Sequence, residues 1–158
     1  MGENGDQRPS LLVAAGGRPG LERLATAWHA RVLADDVVAH AFEHGFRSDH
    51  VERLAAYWAE ALGETVAYSG RYGDESEVVR MHSGNGVHEE MNDRAIACFD
   101  QALVDVDLSP VAGPGRALSE YFAWSTRGPM SRYDHSADDV PDGLAVPRWD
   151  WNGRVSDV

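Results

Sequence analysis

The sequence predicts an all-α domain, on three observations. Apolar residues recur at spacings of three and four through several segments, no convincing alternating run of the strand type appears, and glycine- and proline-rich breaks separate the periodic stretches. At 158 residues the chain has the length of one domain with a single core. No repeat of solenoid length occurs along it.

The elements follow in order. Residues 1–9 are polar and glycine-rich and read as a disordered lead. A short apolar piece, "LLVAA", ends in the turn signal Gly16-Gly17, and Pro19 is placed for a helix start. Leu21, Leu24, Ala25, Trp28 and Val32 then form one helical stripe over 20–34, with His29 beside it. "DDVVAHAFEHGF" reads as a short helical turn running into a loop that carries Phe42 and Phe46.

From Ser48 or Asp49 as cap, a helix carries Val51, Leu54, Ala55, Trp58 and Leu62 as its core stripe. His50, Leu54, Tyr57 and Ala61 share an overlapping face, and Gly63 ends the helix. Residues 75–82 make about two further turns, with Val78, Val79 and His82 on one inward side. Gly84 and Gly86 break that turn. A long helix then starts near His88, where Glu89 and Glu90 suit its positive end, and runs to about 104 through Met91, Ala95, Cys98, Phe99, Ala102 and Leu103. After the loop "DLSPVAGPG", a last helix over 116–130 aligns Leu118, Tyr121, Phe122 and Ser125. These elements make 10–130 the domain, and 131–158 an extended arm without helical period, whose Trp149 and Trp151 either pack on the body or mark a partner site.

Composition excludes several classes of function. All 14 basic residues are arginine against 26 acidic ones, a formal charge of −12, and such a surface repels a phosphate backbone, so no nucleic-acid partner is expected. No apolar run is long enough to span a membrane, and the N-terminus lacks a basic region followed by an apolar one, so neither membrane insertion nor secretion is expected. Cys98, the single cysteine, lies in an apolar pattern and reads as core filler in a reducing cytoplasm. Seven histidines and five tryptophans exceed what a core of this size needs and point to a ligand.

The stretch "VRMHSGNGVHEEMNDR" holds His82 and His88 on either side of a Gly-Asn-Gly break. A zinc-protease motif would need a second histidine four residues after His88, where Asn92 stands. A non-haem metal site could draw on His29, His50 and His82 from three helices, although no inward carboxylate stands at the helical spacing a di-iron site uses. One inward imidazole, His82, opposite His50, Leu54 and Tyr57 and among loop phenylalanines, also meets the needs of a haem site. The plain alternative is a buried helix-end histidine. Spacing alone leaves these readings open.

From about Leu11 to Pro129 the chain resembles the group II truncated haemoglobins, short globins with a two-over-two helical sandwich. The resemblance rests on Gly16-Gly17, the "WHARVLADD" helix, Phe42 after it, "ERLAAYWAEALGE" leading to "AYS", then "RMH" and the "NDRAIACF" helix, in that order and spacing. It implies that His82 binds the iron of haem b from the proximal side and that Phe42 packs on the haem edge. His29 stands where the family usually has a distal tyrosine, and His50, followed by Leu54 and Tyr57, on the distal face. Arg80 lies near the place of a propionate partner, with Met81 where an arginine usually precedes the proximal histidine. Ala95 replaces a tryptophan that commonly donates into the distal pocket. The arm resembles an extension found in a subset of the family.

The expected function is thus a cytoplasmic haem protein that binds O2 or NO and carries out redox chemistry on them, such as NO dioxygenation or peroxide use. His29, His50 and Tyr57 would act on the ligand, Phe42, Phe46, Leu54, Arg80 and Ala95 would surround the cofactor, and an electron donor would serve the iron. The arm's tryptophans leave room for a homodimer. The alternatives are a six-coordinate electron-transfer or sensor protein with His50 or His29 on the iron, the non-haem metal protein, and a haem-free interaction domain.

Overall fold

A computed structural model describes residues 8–156, so most of the lead expected over 1–9 lies outside the described residues. Helix α1 (Leu11–Ala14) begins at Ser10, whose hydroxyl accepts from the Val13 amide at 3.2 Å. Helix α2 (Gly17–Leu33) follows at once, three residues earlier than the stripe suggested. The tight junction depends on glycine: Gly16 has φ +96°, and a Cβ on Gly20 would stand 2.2 Å from the Ala15 carbonyl oxygen. A 3-10 turn over Val38–Phe42 starts under Asp35, whose carboxylate accepts from the amides of Val37 and Val38.

Helix α3 (His50–Ala61) has Asp49 at its N-cap position, but that side chain makes no capping bond; it pairs instead with Arg53 at 2.9 Å and Arg47 at 3.3 Å. Helix α4 (Glu75–Met81) is capped by Asp74, which accepts from the Glu77 amide, and His82 is its C-cap. Helix α5 (Glu89–Asp105) starts one residue after His88, which is exposed. Helix α6 (Gly113–Arg127) starts three residues before its expected first residue because Pro114 is preset for a first helical turn.

Helix α2 packs on α3 and α5, and α5 packs on α6, which is the expected two-over-two arrangement. Leu21, Leu24 and Val32 of α2, Phe99 and Leu103 of α5, and Leu118 of α6 are almost wholly buried between them. Phe99 stacks on Phe122 at 4.2 Å between ring centroids, and Trp28 meets Trp58 and Phe122 edge-on at 6.4 and 5.6 Å. Cys98 is buried, as expected of core filler.

The chain after Pro129, expected as an extended arm without helical period, has short regular pieces of its own. It holds 3-10 turns at Pro129–Ser131 and Ala137–Asp139, and an antiparallel ladder of β1 (Trp149–Asp150) and β2 (Gly153–Arg154). Of the two roles open to the tryptophans, packing is the one observed. Trp149 is buried against Tyr121 and Trp124 and donates to the Ala117 carbonyl at 3.1 Å, and Trp151 donates to the Pro9 carbonyl at 2.9 Å. Among the described residues, no helix is long and apolar enough to cross a membrane.

Candidate functional site

Helix α2, the 3-10 turn and the start of α3 bring four expected residues together. The His29 ring lies 4.4 Å from Phe46, 4.9 Å from His50 and 5.7 Å from Phe42, centroid to centroid, and Phe42 lies 5.3 Å from His50. His29 reaches this cluster because it sits one position off the buried α2 stripe. His50 reaches it because it opens α3. Phe46 is 53 % exposed and closes the outer side.

Both ring nitrogens of His29 and Nε2 of His50 are buried without a hydrogen-bond partner. An imidazole nitrogen withdrawn from water and left unpaired is costly, so such atoms mark a place where a ligand completes the bonding. Burial lowers the pKa of His29. Burial, and then the neighbouring His29, lower that of His50, with Asp49 opposing. Both rings are therefore neutral at pH 7, each with one N–H to donate and one lone pair to offer.

His82 stands apart from that pair, at the end of α4. Val78 and Val79 are buried as expected, but His82, expected on the same inward side, is exposed, a correction that follows from its place at the C-cap, where the chain turns away. Its Nδ1 lies 2.8 Å from the Val78 carbonyl oxygen. A carbonyl only accepts, so Nδ1 carries the proton and Nε2 is left with a free lone pair, the tautomer of a metal-ligating histidine with an oriented ring. Desolvation by the surrounding protein lowers the His82 pKa, with the Val78 bond opposing. Among the described residues no three His, Cys, Asp or Glu side chains gather as a metal cage, so His29, His50 and His82 do not form the three-histidine site considered above. The unpaired ring nitrogens of His29 and His50 and the single oriented imidazole of His82 are donor chemistry that fits a haem.

The remaining expected residues are placed differently. Leu54 is half-buried against the core. Ala95 is buried, and its carbonyl accepts from Trp28 Nε1 at 3.1 Å, so an indole still caps this point of the core, from α2. The Tyr57 hydroxyl does not join the histidines: it donates to Glu75 Oε1 at 2.7 Å. Arg80 is not free for a propionate, because it donates to the Val140 carbonyl at 3.2 Å and pairs with Asp142.

Sequence reasoning missed Glu75. It is 2 % exposed, and burial raises its pKa to about 7, with the Tyr57 bond opposing and Glu60 and Asp74 adding to the rise. A signal was present, since Glu75 shares the spacing of three and four that joins it to Val78, Val79 and His82.

A family model described as bacterial-like globin matches residues 10–113. Among solved structures, a thermostable haemoglobin from the actinobacterium Thermobifida fusca is 24% identical, with a TM-score of 0.64 over 77% of this chain and 97% of its own. The group II truncated haemoglobin from Bacillus anthracis is 16% identical, with a TM-score of 0.69 over 82% of this chain and 95% of its own. A haemoglobin from the thermophilic phototrophic bacterium Chloroflexus aurantiacus is 20% identical, with a TM-score of 0.66 over 79% and 100%. At these identities the likeness is one of fold. No curated protein matches the chain.

Proposed function

The chain belongs to the bacterial-like globin family, and from that premise we propose that it is a truncated haemoglobin that binds haem b, with His82 as proximal ligand and His29 and His50 as the distal pair. The observation that carries the reading is the set of three buried, unpartnered nitrogens on His29 and His50. Bound haem supplies an iron centre that holds O2 or NO and exchanges electrons with them.

In this reading His82 offers Nε2 while Val78 fixes its ring. His29 and His50, both neutral at pH 7, would each offer one N–H hydrogen bond to a partly negative diatomic. Phe42, Phe46 and Leu54 give the apolar walls. Arg80 reaches a propionate only by giving up Asp142. Tyr57 acts on the site through Glu75 and α4 rather than by touching the ligand. NO dioxygenation or peroxide use, with a separate electron donor in the cytoplasm, is the redox chemistry this donor set suits.

Haemin added to the purified chain should give a stoichiometric Soret band, and His82→Ala should abolish or shift it; an unchanged spectrum overturns the proximal assignment. The unpaired Nε2 of His50 favours a second reading, in which that nitrogen ligates iron when no diatomic is present. A low-spin six-coordinate ferrous spectrum without added ligand, lost in His50→Ala, selects it.

A further inference from the structure

The chain beyond the last long helix returns to the segment that carries His82. Ser76, fully buried on α4, donates its hydroxyl proton to the Pro141 carbonyl at 2.7 Å and accepts from the Leu144 amide at 3.1 Å. Arg80 binds the Val140 carbonyl and Asp142. Past His82, the amide of Gly84 donates to the Tyr133 carbonyl at 3.0 Å and that of Gly86 to the Asp134 carbonyl at 2.8 Å. Both glycines have positive φ, and a Cβ on Gly84 would meet the Ala137 amide nitrogen at 3.2 Å, so the close approach of the two backbones requires glycine there.

We propose that Tyr133–Leu144 is a strap belonging to the haem site, which fixes the position of His82 by binding the chain on both sides of it, with Ser76 as the positioning residue on α4. A helix of seven residues has little stability of its own, and α4 depends on what packs against it. The Val78 carbonyl that orients the His82 ring belongs to that same helix, so the strap holds the ligand and its orienting partner as one body. Four residues of the His82 segment, Ser76, Arg80, Gly84 and Gly86, are tied to the strap, and all lie within six positions of His82. The strap also competes with a propionate for Arg80. This inference rests on the haem reading above.

The test uses the full chain loaded with haem, carrying Ser76→Ala or Gly84→Ala, with His88→Ala as a control outside the strap. Two quantities are read: the rate of haem loss to excess apomyoglobin, and the iron–histidine stretching band of the ferrous protein. Ser76→Ala should speed haem loss about tenfold, the factor carried by a buried carbonyl that loses its donor, and should broaden or lower the iron–histidine band. Gly84→Ala should act in the same direction. Amide hydrogen exchange at His82, Gly84 and Gly86 should rise in both. If Ser76→Ala does not fold, Asp142→Ala alters only an exposed side chain and should give a smaller shift of the same sign. Unchanged haem loss and an unchanged band in folded variants overturn the strap while leaving the haem reading standing. Absence of a Soret band in the unmodified chain overturns the haem reading itself, and the strap's role with it.

Discussion

Tyr57 on α3 donates to Glu75 on α4 over 2.7 Å, and both side chains are buried. This bond joins the helix that opens with His50 to the helix that ends at His82. Tyr57→Phe would leave the Glu75 carboxyl buried without its donor. A loss of about 1–3 kcal/mol in unfolding free energy is expected, the usual cost of an orphaned buried polar group, and a denaturant titration at pH 7 measures it.

Glu75 also sets a pH dependence. Its pKa is raised from 4.5 to about 7 on folding, so the native state holds a proton that the unfolded state has released. The stability this contributes is fully present below pH 4.5 and is lost as pH rises through 7, a span worth about 3 kcal/mol. The lowered histidines His29, His50 and His82 act oppositely, costing stability as pH falls below 6.5. Glu75→Gln keeps an acceptor for Tyr57 and removes the titration. The difference in stability between the two chains should therefore grow from pH 4.5 to 7 in favour of glutamine; a difference independent of pH would refute the assignment.

The distal histidines should trade stability for binding. His29→Leu removes two unpaired buried nitrogens, and the haem-free chain should gain about 1 kcal/mol or more. The same change should weaken retention of O2 by the haem-loaded chain, measured as a faster dissociation rate. Equal effects of one sign on both properties would mark His29 as a packing residue only.

Trp149 anchors the last segment by burial and by its bond to Ala117. Trp149→Ala should cost about 3–5 kcal/mol, in line with other buried tryptophans, and should raise proteolysis between 131 and 148 before the helical body is cut. Limited proteolysis followed by mass analysis distinguishes this from global unfolding.

At the first helical junction, Gly20→Ala would place a methyl 2.2 Å from the Ala15 carbonyl oxygen, which is backbone and cannot step aside. Separation of α1 from α2 is expected, with a loss of more than about 2 kcal/mol, above the usual range for a surface change. Thermal unfolding followed by circular dichroism tests it.

The periodic stripes by themselves determined five long or short helices, the core residues on them and the order of breaks, because burial of one helix face writes a spacing of three and four into the chain. They also brought His29 and His50 forward, since polar rings near an apolar stripe are conspicuous, and Phe42 and Phe46, since apolar rings among polar loop residues need something to cover. Only the tertiary structure decided which of these meet and what each polar group binds. The Tyr57 hydroxyl and Arg80 are claimed by Glu75 and by Asp142, partners 18 and 62 residues away, and no local pattern encodes a hydrogen bond across such a distance. The bond from His82 to Val78 is local in sequence, yet it depends on the C-cap conformation that ends α4. The close return of Tyr133–Leu144 to Ser76 and Gly84 depends on where a chain without period comes to rest, and packing alone settles that.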